Sequence, residues 1–226
     1  MRIKFLGQGL DENDPGIVQV LKESFRDKNF DSFTCFVAFA NTAGLDRIAD
    51  DIQKATNHIK KWAVVVGIDF TTSKEALEIL LELEVNTKVF HTLTPTKTFH
   101  PKIFLFEGKR KNKLIVGSTN YTKGGLLTNI ESSLCVEFDT TRDPTVGGGH
   151  DYDGEKLKEE VKEYFAGLLD CTHPNIKKLD DDLIKNLVDS KKIKTESQLN
   201  KLRTKSGQKS TTEQNTAIPE LFPPMV

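Results

Sequence analysis

Cysteine is scarce in this chain. Three residues in 226, Cys35, Cys135 and Cys171, are an odd number. No C-x-x-C and no Cys/His pair at zinc spacing occurs, which argues against a disulfide framework and a structural zinc site. Cys35 and Cys135 lie in apolar, strand-like runs, where buried reduced thiols are expected. Long hydrophobic runs are also missing: none approaches the roughly 18 residues that a membrane helix needs. The opening "MRIKFLGQGLDENDPG" meets acids and a proline after a very short apolar stretch. Neither a membrane span nor a signal peptide is predicted, and the expected location is cytoplasmic. No internal repeat is found, and the net charge is only −1.

What is present reads as alternating strands and helices. A chain of this length with 37% hydrophobic residues can bury one full core, or one core and a small appended unit. "FDSFTCFVAFA" (30–40) suits a buried strand, and 45–61 places Leu45, Ile48, Ala49, Ile52, Ala55 and Ile59 on one helical face. "WAVVVGIDF" (62–70) is a continuous apolar strand, and Thr72 with Glu75 forms a capping-box pattern for the helix "SKEALEILLELE". "TKVFHTL" (87–93) is a third strand. The order predicts parallel βαβ crossovers. From Phe99 the texture changes: "HPKIFLFEG" and "KLIVGSTN" read as an antiparallel hairpin, "IESSLCVEFD" (130–139) as a further strand, and 155–170 as an amphipathic helix. The expectation is an α/β protein with a mixed sheet flanked by helices, comprising a main domain over 1–170 and a small helical extension over 171–203. The polar tail or linker, 204–226, would dock only through "IPELF".

Charge is unevenly spread. From Lys97 to Lys123 there are seven Lys or Arg (Lys97, Lys102, Lys109, Arg110, Lys111, Lys113, Lys123) against one acid, Glu107. With a turn centred near Arg110, hairpin partners have numbers adding to about 220, so His100 would face Asn120 and Lys102 would face Ser118 on one side of the sheet. Glu107, at odd spacing, would point to the other face and be structural. The basic turn would lie on the order of 25 Å from His100, too far to grip the same phosphate. Each of these polar residues alone suits a strand edge or a turn; four of them converging beside a Gly-Gly loop is a harder pattern to assign to solvation. Elsewhere, His150, Asp151 and Asp153 in "GGGHDYDG" read as an acidic loop rather than ligands. His58 reads as solvent-facing, and Asp69 as a residue that could line the cleft at the carboxyl edge of the sheet.

"HPK", then "GSTNYT", then Glu131 resembles the H-x-K, G-S-x-N, acidic signature of the phospholipase D superfamily, with Glu107 where an aspartate is usual. The single His-x-Lys and the runs "FTCFVAFAN" and "VVVGIDF" upstream resemble the metal-independent phospholipase D-like nucleases, in particular restriction endonuclease catalytic domains. The motif covers about forty residues and the wider likeness runs from Met1 to Asp170. The resemblance implies a phospholipase D-like catalytic domain over 1–170 whose site is shared by two subunits. His100 would be the nucleophile in one and the acid in the other, Lys102 and Asn120 would hold phosphate oxygens, and Ser118 would bind phosphate or hold the loop. Glu131 would fix the tautomer of His100. It implies no metal and no cofactor, DNA as partner, and a separate DNA-recognition domain or subunit in a restriction or defence setting. Lys97, Lys109, Arg110, Lys111 and Lys123 are the candidate DNA-binding cations. Two alternatives stand beside it: a phospholipase or phosphatidyltransferase, and a nonenzymatic nucleic-acid-binding module.

Overall fold

A strand that is apolar at every position must be covered on both faces, because successive side chains alternate. From Phe33 to Val37 every residue is buried, and this strand lies inside the sheet. A computed structural model describes residues 1–10, 16–92, 94, 96–140, 151–202 and 204. Its first half runs β1 (Arg2–Gln8), α1 (Gly16–Arg26), β2 (Ser32–Val37), α2 (Thr42–Leu45), α3 (Ala49–Ala55), β3 (Lys61–Gly67), α4 (Lys74–Glu82) and β4 (Thr87–Phe90). The hairpin β5 (Lys102–Glu107) and β6 (Lys111–Gly117) follows, then a π-helical turn (Gly124–Thr128) and β7 (Glu131–Asp139). The chain continues through α5 (Tyr152–Tyr164), α6 (Ala166–Leu169), β8 (Ile176–Lys178) and α7 (Asp181–Asp189).

Among the described residues eight strands form one sheet, in the order β1-β7-β6-β5-β2-β3-β4-β8. As the crossover reading predicts, β2, β3 and β4 are parallel. All other pairs are antiparallel, so the sheet is mixed. One face, carrying Phe33, Cys35, Val66, Phe104 and Ile115, packs under residues of α1, α3, α4 and α7. The opposite face, carrying Phe36, Val65, Leu105, Leu114 and Phe138, packs under α5 and α6. Cys35 and Cys135 are buried free thiols and Cys171 is exposed. Among the described residues no helix is long and apolar enough to cross a membrane.

Several local expectations are corrected. The helix expected over 45–61 is two short ones, α2 and α3. The reason is Asn41, whose Oδ1 accepts from the N–H groups of Gly44 and Lys123; it starts α2 early and ties it to the loop after β6 instead of to the line of α3. The cap of α4 is Ser73, whose Oγ accepts from Ala76 N–H at 3.1 Å. Thr72 instead accepts from Ala40 N–H and donates to Gly67 O, joining the ends of β2 and β3. Residues of the expected helical extension also touch the main sheet and core. β8 pairs with the otherwise open edge of β4, and Leu179, Ile184 and Ile193 join the core of the first face. Glu196 accepts from Thr42 N–H and Ser73 Oγ, fastening the helical stretch 196–202 to the main body. His58 is half-buried rather than solvent-facing. The "IPELF" segment and His150 lie outside the described residues.

Candidate active site

The hairpin forms, with a register one residue from that expected. Ile103 pairs with Val116 and Leu105 with Leu114, so partners add to 219. A one-residue slip exchanges faces: continued outward, the register sets Lys102 against Gly117, not Ser118. Pairing to β5 has ended by then, and residues 118–120 leave as a loop, so strand parity no longer governs Ser118 or Asn120. Other contacts place them. Ser118 N–H donates to Ser132 O at 3.1 Å and Ser132 N–H returns to Ser118 Oγ at 3.1 Å, while that hydroxyl donates to the Glu131 carboxylate. Asn120 Oδ1 accepts from Phe39 N–H at 3.2 Å, and Tyr121 N–H donates to Phe39 O at 3.1 Å, so the loop runs beside the continuation of β2. The ring of Phe39 meets the His100 imidazole edge-on at 5.7 Å. Gly125 is required here, since a Cβ would stand 2.7 Å from both the backbone N and O of Asn120.

His100 is exposed just before β5, and Lys102, whose Cα pairs with that of Val37, is buried. The Lys102 Nζ lies 2.7 Å from Nδ1 and 2.9 Å from Nε2 of His100, and 3.0 Å from the His100 carbonyl. An ammonium only donates, so this approach needs a ring nitrogen lone pair and favours neutral imidazole. Burial, and then the charge of Lys102, lower the pKa of His100. Burial likewise lowers that of Lys102, opposed by the negative charge of Glu131. Glu131 thus acts on the pair through Lys102. The expectation that it bonds the second ring nitrogen of His100 is corrected: its carboxylate holds Ser118 and, at 3.1 Å, Asn129 Nδ2. The reason is position, since Glu131 opens β7 beside the loop leaving β6.

The remaining residues sort by distance from this cluster. Glu107 is held by Lys162 of α5 at 2.6 Å, on the face opposite Lys102. The basic turn is partly neutralised where it stands: Lys111 pairs with Asp27 at 2.9 Å and Arg110 lies 3.8 Å from Asp139. Lys109, Lys97 and Lys123 are exposed. Asp151 binds the N-terminal ammonium at 2.6 Å, and Asp153 sits in the first turn of α5. Among the described residues no group of three or more His, Cys, Asp or Glu is arranged to hold a metal ion. Two neighbours escaped the sequence reading. Phe39, which bridges Asn120 and His100, is one of several aromatics in an apolar run and carries no local signal. His91, whose Nδ1 lies 2.8 Å from Asp69, ends β4 next to the end of β3; two polar groups closing adjacent parallel strands are a signal that could have been read.

No protein-family model and no curated protein matches the sequence. Solved structures do match the fold. Nuc, a phospholipase D family member from Salmonella typhimurium, superposes with a TM-score of 0.52 at 12% identity, covering 80% of this chain and 100% of Nuc. NucT from Helicobacter pylori gives 0.49 at 16% identity, over 75% of this chain and 96% of NucT. A yeast tyrosyl-DNA phosphodiesterase 1 mutant gives 0.44 at 13% identity, and the chain spans 38% of it. The mixed eight-stranded sheet with helices on both faces is the phospholipase D fold.

Proposed function

We propose that the chain is a phosphodiesterase that cleaves DNA without a metal ion, through a phosphohistidine at His100, in a site completed by a second copy. The observation that carries this reading is the Lys102 ammonium held against both ring nitrogens of His100, at the same sheet end as Ser118, Asn120 and Glu131. A neutral imidazole is a nucleophile, and a buried ammonium beside it can hold a nonbridging phosphate oxygen. In the first step a ring nitrogen of His100 bonds to phosphorus, the bond to the leaving oxygen breaks, and the partner subunit's His100, as imidazolium, gives that oxygen its proton. In the second, water attacks the phosphohistidine, the partner's His100 takes the proton, and the P–N bond breaks to restore the ring. One ring must be neutral while the other is charged, so the two titrate as a coupled pair. Asn120 is assigned to the phosphate and Ser118 to holding the loop with Glu131.

A single His-x-Lys leaves each chain with half a site, and one surface favours a second copy as occupant. Phe5, Leu134 and Val116 pair in register across β1, β7 and β6 and are 71%, 51% and 43% exposed. With Ile3 they form an apolar row on the α5 face of the sheet, at the end of β7 that begins with Glu131. A restriction or defence setting, with sequence recognition supplied by a separate domain or subunit, rests on the resemblance of the single-copy motif. The test is cleavage of plasmid and of single-stranded DNA with EDTA, run beside phosphatidylcholine hydrolysis. DNA cleavage that survives EDTA and vanishes in His100→Ala is the expected result. Strict dependence on Mg²⁺, an unchanged His100→Ala, or lipid turnover in place of DNA cleavage would each overturn the reading.

A further inference from the structure

Beside the His100 cluster, at the carboxyl ends of β3 and β4, lies a cavity of about 300 Å³ whose walls include Asp69, Phe70, His91, Thr92, Lys97 and Lys192. Asp69 is its organising residue. Its side chain is only 8% exposed, and every oxygen is engaged: Oδ1 with His91 Nδ1 at 2.8 Å and Thr92 N–H at 3.0 Å, Oδ2 with Phe99 N–H at 3.3 Å. The carboxylate is therefore spent inside the protein. The groups left to line the cavity with a positive charge are Lys97 and Lys192. Such a lining suits an anion. Phe70, against the expectation for a large apolar side chain, is 61% exposed at the cavity's rim. Its ring meets Phe39 edge-on at 6.0 Å, and Phe39 in turn meets His100 at 5.7 Å. Phe70 is thus two ring contacts from the nucleophile, within the reach of one or two nucleotides along a strand.

We infer that this cavity is a subsite for an unpaired nucleotide next to the scissile phosphate. Its base would stack on Phe70, and its phosphate would meet Lys97 and Lys192. The inference rests on the reading of His100 as a phosphodiesterase nucleophile and adds a substrate class to it, single-stranded nucleic acid. An exposed aromatic face accepts any base but only one free of a duplex stack, and lysines beside it track the backbone.

The two readings separate in one set of measurements. Binding of a fluorescein-labelled single-stranded DNA 12-mer, followed by anisotropy in a His100→Ala background, reports the subsite without turnover. Hydrolysis of bis(p-nitrophenyl) phosphate, which has no base or second phosphate, reports His100 alone. Phe70→Ala is expected to weaken 12-mer binding about tenfold and to leave bis(p-nitrophenyl) phosphate turnover unchanged. Phe70→Trp should restore binding, and the matching duplex should bind equally to both variants. Lys192→Glu should weaken the 12-mer further and flatten its salt dependence. Unchanged 12-mer binding in Phe70→Ala would overturn the subsite. So would an equal loss for single strand and duplex, or loss of the dimer. Failure of the wild type to hydrolyse bis(p-nitrophenyl) phosphate would count against the nucleophile and leave the binding result to decide the subsite.

Discussion

Phe5→Ala tests the second copy through a residue remote from the chemistry. Fully burying a phenylalanine contributes about 1.5–3 kcal/mol. Phe5 has 71% of its surface still open to be covered, so its burial in an interface is worth about 1–2 kcal/mol. A two-fold contact counts each residue twice. Truncation should therefore cost about 2–4 kcal/mol of association, on the order of 10² in the dimer dissociation constant. The fold should hold, because little of the wild-type core depends on an exposed ring. Sedimentation equilibrium measures the constant directly. Specific activity across a dilution series measures its consequence: activity should fall at protein concentrations where the wild type is still saturated, and recover when the variant is concentrated. A Phe5→Ala chain that sediments as a monomer with full activity at every dilution would refute the shared site. One that dimerises like the wild type would remove the apolar row from the interface.

Three further outcomes follow from the site. Lys102→Met should lower kcat/KM on DNA by roughly 10- to 150-fold, the value of a charge-assisted contact of about 1.5–3 kcal/mol. Since the charge of Lys102 helps to hold His100 below 6.5, the same variant should raise the His100 midpoint, moving the acid limb of the pH profile upward; an NMR titration with an unmoved midpoint would contradict the pairing. Gly125→Ala should displace Asn120, whose backbone N and O would lie 2.7 Å from the new Cβ, with an overpacking cost of about 1–3 kcal/mol; Tm and turnover should fall together, and an unchanged Tm would argue against the close packing. Replacing Lys109, Arg110 and Lys111 with Ala should change DNA affinity only in a salt-dependent way and leave bis(p-nitrophenyl) phosphate turnover intact; a drop in that turnover would bring the basic turn into the site.

The strands were legible wherever burial is written into consecutive residues. "SFTCFV" and "KWAVVVG" are apolar on both faces, because helices cover both sides of the sheet there, and they are β2 and β3. The edge was not legible. β8 is three residues, "IKK", too short to show a period of two, and its pairing with Lys88 to Phe90 is fixed by a partner more than eighty residues away. The cap of α4 was displaced by one residue for a related reason. Thr72 and Ser73 are equivalent to local reasoning, and only the distant Ala40 N–H, which takes Thr72 Oγ1, decides between them.

The register error shows why a motif can gather side chains that a strand pattern separates. The hairpin turn holds one residue fewer than a centre at Arg110 requires, and Gly108 sets this by lying where a Cβ would stand 1.9 Å from Asn29 O. Had β6 continued with that register, Ser118 and Asn120 would have pointed away from Lys102. The strand stops at Gly117 instead, where a Cβ would strike Ser133 Oγ at 2.0 Å and Ser132 O at 2.5 Å. A residue without a side chain lets β7 close in, and the loop beyond it is then free of the alternation. Its course is set by Phe39, which bonds Asn120 and Tyr121 through its backbone while its ring contacts His100. The glycine of the G-S-x-N segment thus ends the pairing, and the asparagine three residues later reaches the histidine through the end of β2, across chain separations that no period in the sequence encodes.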